Sequence, residues 1–404
     1  RRGVAHRRCC LCLRGQRRHR VIDGPVSPHR AGSPRARLAT RTLGLIAVAS
    51  VSRDESEVLA VIRGSLPPSY EIVDDTDAVL FAMPRQRRAE ARCVVLAGHV
   101  DTVPIAGNVP GTIEEGAVVG RGASDMKGGL AVMLELADEL HDAPAGPDLH
   151  LDVALLCFGR EELPYSESAL LPFFERCPAV ATADLAIVME PTDNAIEMGC
   201  LGNLNATVTV RGQAAHSARP WLGDNAIHRA IAALAPLADL PVRDVSVDGL
   251  TFREVVSVTT IEGGVAANVV PDTLQARVNF RYAPGHKPAD AESRLRELLA
   301  ASGAEVRIDG NAPPGPVNVA NPLVTRLRDA GDLSLGPKQA WTPVAELALA
   351  GVDAVNFGPG DPKYAHRDDE RIEVAALVRC HAVLRAFLGL GPADGAGGRE
   401  GPKA

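Results

Sequence analysis

The chain has 404 residues and a formal net charge of −7 at pH 7, a length that favours two hydrophobic cores over one. Residues 1–41 carry twelve arginines against one aspartate, whereas the remainder has 31 basic against 49 acidic side chains. An acidic body argues against nucleic-acid binding by the folded part. The longest apolar run, residues 43–51, is too short to cross a bilayer, so we expect no membrane partner.

Both ends of the chain have the composition of disordered segments. The arginine-rich residues 1–37 lack helical periodicity and are predicted to be a disordered extension, as is the glycine- and proline-rich tail 392–404. A nucleic-acid-binding role for the basic head is the alternative, and such binding would be salt-sensitive and lost when residues 1–37 are deleted.

The cysteines beyond the head are isolated in apolar stretches and form neither a disulfide framework nor a zinc-finger spacing. They are Cys93, Cys157, Cys177, Cys200 and Cys380. This usage is typical of a reducing compartment, so we expect a cytoplasmic location.

The first half of the chain alternates helical and strand patterns. Helices are predicted within residues 38–66 and over 128–141, and apolar strands at 70–73, 79–83, 93–97, 149–158 and 185–189. This alternation predicts an α/β fold in which functional residues follow the carboxyl ends of the strands.

The pattern changes after residue 202. Strands with period-two alternation and two helices indicate an inserted four-stranded antiparallel α+β domain of the ferredoxin-like kind over residues 203–310. The proline- and glycine-rich stretch 311–318 leads back to the first domain. We therefore predict a discontinuous catalytic domain, residues 38–202 and 311–391, interrupted by this insert.

Five candidate metal ligands stand at predicted strand ends or in loops. They are His99, Asp125, Glu162, Glu190 and His366. Imidazole and carboxylate donors without a thiolate suit a catalytic zinc ion or a related divalent ion such as cobalt or manganese. Five ligands are too many for one open catalytic ion, but they suit two ions about 3.5–4 Å apart with Asp125 shared between them.

Two further carboxylates have predicted roles beside these ligands. Asp101 lies two residues after His99, where it suits the hydrogen-bonding partner that fixes the imidazole tautomer. Glu161 precedes Glu162 directly after a long apolar strand, and a carboxylate beside a ligand suits a general base. Taken alone, the Glu161-Glu162 pair would more often be a solvated helix start.

These motifs together resemble the di-zinc peptidase and deacylase family that includes aminoacylases, acetylornithine deacetylase, glutamate carboxypeptidase and succinyl-diaminopimelate desuccinylase. The resemblance covers about residues 38–391 and rests on GHVDTVP, GRGASDMKGG, REE, MEPT and AHRDDE in that order. It implies that His99 and Glu190 bind one zinc, Glu162 and His366 the other, and Asp125 both. It also implies a cis bond after Asp125 and a lid domain used for homodimerisation.

Desuccinylases of the actinobacterial kind are the most similar members, on NFGPGDPKYAHRDDE and AWTPVAEL. The resemblance then implies hydrolysis of N-succinyl-LL-2,6-diaminopimelate, with His216 stabilising the oxyanion. It implies that four residues contact the substrate: Asn268, Arg281, Thr342 and Gly360. One departure concerns substrate identity, because Glu346 stands where these enzymes carry an arginine that meets a substrate carboxylate.

Two alternatives stay open at this point. Another hydrolase of the family, such as acetylornithine deacetylase, an aminoacylase or a glutamate-type carboxypeptidase, would share the metal chemistry and differ in substrate. A catalytically silent binding protein on the same fold would be marked by loss of a ligand or of the base, and none of these residues is missing.

Overall fold

The computed structural model describes residues 32–88, 90–143 and 151–391. Its helices are α1 Pro34–Ala47, α2 Ser56–Ser65, α3 Gly128–Asp142, α4 Leu170–Arg176, α5 Ala226–Ala238, α6 Pro288–Leu299, α7 Pro322–Gly331, α8 Val344–Leu349 and α9 Val374–Leu388. Most of the predicted disordered head and the whole predicted tail lie outside the described residues.

The strands of the described residues are β1 Tyr70–Asp75, β2 Val79–Pro84, β3 Arg92–His99, β4 Thr112–Glu114, β5 Ala117–Val119, β6 Leu151–Phe158, β7 Leu185–Val188, β8 Ile196–Met198, β9 Gly202–Arg211, β10 Ala215–His216, β11 Arg243–Val247, β12 Leu250–Gly263, β13 Val269–Val270, β14 Thr273–Tyr282, β15 Glu305–Ala312, β16 Leu335–Pro337, β17 Ala354–Asn356 and β18 Arg371–Glu373. They form two large sheets and two small ones.

The first large sheet has eight strands in the order β1-β2-β6-β3-β7-β17-β8-β16. At its centre β3 runs parallel to β6 and β7, and β17 runs parallel to β7. Strands β6 and β7 are buried along their whole length, and β3 is buried except at Arg92, as expected for parallel strands covered on both faces. Their carboxyl ends therefore meet at one edge of the sheet.

Helices cover both faces of this sheet. One core includes Leu38 of α1, Leu130 of α3 and Leu384 of α9, and the other includes Phe173 of α4 and Leu347 of α8. Helix α1 begins four residues before the boundary predicted at residue 38, because Ser33 caps it and Pro34 takes its first position.

The second large sheet is antiparallel, with the order β11-β12-β14-β9-β15, and helices α5 and α6 pack on it. The order β12-β14-β9-β15 with two helices is the arrangement of a ferredoxin-like sandwich. The sequence predicts four strands here, and the structure adds β11. This hairpin forms because Asp248 and Gly249 both adopt positive φ in a two-residue turn.

Each large sheet has its own hydrophobic core. The second sheet runs from Gly202 to Ala312, within two residues of the predicted insert at each end. The division into a catalytic and a lid domain, as units that fold or move separately, stays a prediction.

Candidate metal centre and substrate cleft

The functional residues gather at the carboxyl edge of the eight-stranded sheet. His99 ends β3, Glu161 and Glu162 follow β6, and Glu190 follows β7. Asp125 lies in the turn Ala123–Lys127, immediately before α3, where its backbone and that of Met126 are not helical. The parallel strands bring together residues that are far apart in the sequence.

Two overlapping groups of ligand atoms result. His99, Asp125 and Glu190 present atoms within 4.8 Å of one another, as do Asp125, Glu162 and His366. Nε2 of His99 lies 3.0 Å from Oδ1 of Asp125, and Nε2 of His366 lies 3.3 Å from Oδ2. All five predicted ligands thus meet in one cluster. Asp125 belongs to both groups, and each of its oxygens faces one imidazole.

The donor set of this cluster fits divalent cations. His99 Nε2 is 3.9 Å from Oε1 of Glu190, and this buried oxygen has no hydrogen-bond partner among the described residues. Burial, and next the charge of Asp125, raise the pKa of Glu190 to about 7. An unpartnered buried carboxylate beside imidazoles is the situation that a bound cation relieves.

The pKa values of the two histidines are raised by the same carboxylates. Hydrogen bonds to Asp125 and then to Glu162 raise the pKa of His366 to about 10. Burial favours the neutral form of His99, but the nearby carboxylates of Asp101 and Asp125 hold its pKa well above the usual value. Metal cations and protons are therefore expected to compete for these nitrogens.

Asp101 acts on both His99 and the following loop. Nδ1 of His99 lies 3.0 Å from the carbonyl oxygen of Asp101, and a carbonyl can only accept, so Nδ1 carries the proton and Nε2 is left free for a metal. The carboxylate of Asp101 is more distant, at 3.6 Å. It accepts instead from the backbone N–H groups of Glu161 and Glu162, at 3.1 and 3.2 Å, and from the Ser52 hydroxyl.

Glu161 lies beside the ligands, as predicted. One of its oxygens lies within 4.8 Å of ligand atoms of His99 and Glu162. Burial raises the pKa of Glu161 well above the usual value, and the charge of Glu190 adds to the effect. A carboxylate with a raised pKa can both take up and return a proton near neutral pH.

Glu370 is a site residue to which the sequence analysis gave no role. Its Oε1 accepts from the backbone N–H groups of Ser124 and Asp125, both at 3.1 Å, and its Oε2 accepts from Arg121 at 3.0 Å. These bonds fix the backbone that presents Asp125, and the predicted cis bond between Asp125 and Met126 is confirmed. In the sequence, the one indication of a role for Glu370 is its place as the last residue of the AHRDDE motif.

A cleft of about 710 Å³ opens beside the cluster. The first sheet and its loops contribute the candidate ligands other than His99, together with Lys338, Trp341 and Thr342, while the second sheet contributes Asn203 and Arg281. Of the predicted substrate contacts, Arg281 and Thr342 line this cleft. Arg281 Nε donates to Asn279 at 3.0 Å.

Three other predicted contacts lie elsewhere in this chain. His216 is exposed on β10, and its Nδ1 accepts from the backbone of Ala218. The backbone carbonyl of Asn268 accepts a hydrogen bond from the backbone N–H of Ser217, the residue after His216. Gly360 packs behind the cluster, where an added Cβ would lie 2.3 Å from the carbonyl oxygen of Ser124. None of the three is among the described residues that line the cleft.

Glu346 does not line the large cleft, although its sequence position implies a residue that meets a substrate carboxylate there. Its side chain is buried on α8 and accepts a hydrogen bond from the Ser168 hydroxyl. It contributes to a small cavity that shares Glu161, Tyr165 and Trp341 with the large cleft, and it is not among the described residues lining that cleft. The acid therefore lies next to the cleft but not on its wall.

An α/β sheet with candidate histidine and carboxylate ligands at its carboxyl edge is an arrangement typical of metallopeptidases. The chain belongs to the family described as Peptidase family M20/M25/M40, whose model matches residues 95–389.

Several relatives carry one functional description. The Corynebacterium glutamicum succinyl-diaminopimelate desuccinylase is 36% identical over 355 residues, covering 86% of this chain and 95% of that protein. A Mycobacterium tuberculosis protein, described provisionally in the same terms, is 38% identical, and the match covers 86% of this chain and 97% of that protein.

Solved structures show the same fold. An M20 family metallo-carboxypeptidase from Sulfolobus solfataricus aligns with a TM-score of 0.71 at 20% identity, over 87% of this chain and 98% of that one. A Bacillus subtilis protein, described as a dinuclear metal binding peptidase from the M20 family, aligns with a TM-score of 0.63 at 16% identity. The alignment covers 88% of this chain and 98% of that one.

Proposed function

We propose that the protein hydrolyses N-succinyl-LL-2,6-diaminopimelate to succinate and LL-diaminopimelate, a step of lysine and diaminopimelate biosynthesis. The single observation that carries the proposal is the complete set of ligands and base at one sheet edge, with Asp125 common to two groups of ligand atoms. The substrate is drawn from the descriptions of the relatives that cover most of this chain.

Two divalent cations, zinc by preference, would occupy this centre. His99 and Glu190 would hold one, Glu162 and His366 the other, and Asp125 both. Such a pair lowers the pKa of water and polarises the scissile carbonyl. The described geometry supports this arrangement because Asp125 directs one carboxylate oxygen toward each imidazole.

Glu161 is proposed as the group that moves the proton. It accepts the proton of the attacking water molecule and delivers it to the departing amine nitrogen. The backbone N–H of Glu161 is bonded to Asp101, which keeps the side chain close to the ligands and reduces the reorganisation that the reaction requires. Thr342 and Arg281 line the cleft where the substrate would lie.

His216 and Asn268 are proposed to act on the cleft of a second copy, as oxyanion donor and substrate contact. Both lie away from the described cleft of their own chain. The insert 203–310, which carries both residues, exposes large apolar side chains, including Trp221, Ile261 and Val265. The part of β12 beyond Glu254 has no partner strand on the β11 side among the described residues, and such an edge can pair across a two-fold axis. We therefore propose a homodimer through the insert 203–310.

We also propose a cytoplasmic location, because of the state of the cysteines. The five cysteines in the described part of the chain are buried and unpaired, which suits a reducing compartment. No helix of that part has the length and hydropathy to span a membrane.

A second candidate is hydrolysis of a different N-acyl amino acid by the same metal chemistry. Glu346 favours it, because the arginine expected at that position is replaced by a buried acid. The relatives' shared description favours the desuccinylase reaction, so we retain the other reaction as the alternative.

A substrate panel tests the proposal. The zinc-loaded protein would be assayed on N-succinyl-LL-diaminopimelate, Nα-acetylornithine and N-acyl amino acids, with Glu161→Gln as the inactive control. We expect kcat/KM for the succinyl substrate to exceed the others by at least about 100-fold, a transition-state difference of roughly 3 kcal/mol. Preference for acetylornithine would transfer the proposal to the alternative substrate, and hydrolysis of none would refute it.

A further inference from the structure

We infer that Lys338 binds the substrate carboxylate on the carbon next to the scissile amide. The inference rests on the proposed amide hydrolysis and names the residue that recognises one part of the substrate. It follows from the position of Lys338 in the cleft, from the partners of its ammonium group and from the location of the other cations.

The backbone holds Lys338 at the end of the eight-stranded sheet. It directly follows β16, which pairs in parallel with β8, and its N–H donates to the carbonyl of Met198 at 3.1 Å. The residue is 6% exposed and lines the cleft on the wall that also carries the candidate ligands. Its position is therefore fixed before a substrate binds, which reduces the ordering cost of binding.

The ammonium group of Lys338 stands next to the metal cluster. Nζ donates to the carbonyl of Pro191, the residue after Glu190, at 3.2 Å, and it pairs with Glu197 at 2.8 Å. An ammonium has three N–H donors, so these two contacts leave one for a ligand. A carboxylate on the carbon bonded to the amide nitrogen must also lie close to the metals, because the amide carbonyl reacts there.

The other cations of the cleft are less suitable for this carboxylate. Arg277 and Arg281 are on β14, in the second sheet, and thus on the opposite wall. Position 346, where the resemblance to desuccinylases implies an arginine, holds a buried glutamate that faces Ser168. Lys338 is the lysine among the described residues lining the cleft. The charge of Arg281 reaches Glu161, but its Nε is already bonded to Asn279.

A purely structural role for Lys338, neutralising Glu197, would also explain their ion pair. The two explanations differ in what Glu197→Gln does. If Lys338 only neutralises Glu197, removing either charge should damage the protein in a similar way. If Lys338 binds substrate, removing Glu197 leaves the cation in place and frees another N–H donor.

The experiment compares two substrates that differ in one carboxylate. Nε-succinyl-L-lysine is the succinyl-diaminopimelate skeleton without the carboxylate next to the amide. For Lys338→Met, we expect kcat/KM on N-succinyl-LL-diaminopimelate to fall about 10- to 100-fold, the range for a lost charged hydrogen bond. On Nε-succinyl-L-lysine it should change by less than about 3-fold. Lys338→Arg should retain part of the preference, and the exposed Lys287→Met is the matched control.

Metal content and melting temperature are measured for every variant, so that loss of the centre is recognised. Equal losses on both substrates, or the same loss of preference in Glu197→Gln, would overturn the inference. Should the wild type prefer acetylornithine, the proposed substrate fails, and the comparison moves to Nα-acetylornithine against N-acetylputrescine, which lacks the corresponding carboxylate. An unchanged preference in Lys338→Met would overturn the inference there too.

Discussion

Replacing Glu346 by glutamine should remove a specific part of the protein's pH-dependent stability. The Glu346 carboxyl is buried on α8 and accepts a hydrogen bond from Ser168. Burial raises its pKa from 4.5 to about 7, and the Ser168 bond opposes this rise. The folded protein therefore holds this proton more tightly than the unfolded chain does.

The sign and size of the effect follow from this difference in pKa. As the pH rises from about 4.5 to about 7, the unfolded chain loses the proton while the folded protein keeps it. The free energy of unfolding therefore falls over this window and levels off above pH 7. The gap between the two pKa values corresponds to at most about 3 kcal/mol. This is a large fraction of the stability of a typical domain.

Urea unfolding at pH 5 and pH 8, in the presence of a chelator, measures this effect. Glutamine has nearly the same shape and does not titrate, so Glu346→Gln should gain up to about 3 kcal/mol relative to wild type between the two pH values. The comparison cancels any constant cost of the new amide group. Ser168→Ala removes the bond that lowers the pKa of Glu346. The loss of unfolding free energy between pH 5 and pH 8 should therefore be larger in this variant than in wild type. Identical pH dependence in wild type and Glu346→Gln would refute the reasoning.

Three other perturbations have defined outcomes. Glu161→Gln should lower kcat at least about 100-fold at unchanged metal content, because it removes the proton carrier but keeps the shape; near-normal turnover would exclude Glu161 as the base. Glu370→Gln weakens the bonds to the backbone of Asp125, so metal affinity measured by competition with a chelator should fall about 10- to 100-fold, and an unchanged affinity would contradict that role. Ile261→Asp, on the exposed edge of β12, should give a monomer in sedimentation experiments; a wild type that is already monomeric and fully active would remove the case for a dimer.

The elements that carry the candidate metal centre could be predicted because they depend on local signals. The apolar strands at 93–97, 149–158 and 185–189 correspond to β3, β6 and β7. Parallel strands necessarily bring His99 and Glu190 to one edge. Residue type and strand end together thus predict that these two candidate ligands lie near each other.

The predicted number of strands in the second sheet was wrong by one, because the prediction left out β11 and the turn that follows it. Asp248-Gly249 is a strong hairpin signal between two short alternating runs. The run Arg243–Val247 is mostly exposed or half-buried. It therefore lacks the apolar periodicity on which the other strands were recognised.

Long-range contacts of polar side chains explain the remaining differences. The roles of Glu370 and Lys338 depend on partners about 150 to 250 positions away in the sequence, which no local pattern encodes. Glu346 follows the desuccinylase motif in position, yet its side chain turns to Ser168. Motif position fixes where the backbone runs, and neighbouring side chains decide which cavity a side chain enters.

Metal stoichiometry tests the central claim most directly. The purified protein would be stripped with a chelator, loaded with zinc, dialysed and analysed by mass spectrometry of the metal, alongside Asp125→Ala and the distant control Lys287→Met. If Asp125 is shared by both ions, wild type and control should hold close to two zinc ions per chain, and Asp125→Ala should hold less than one. A wild-type ratio near zero after loading, or two ions retained without Asp125, would contradict the shared centre.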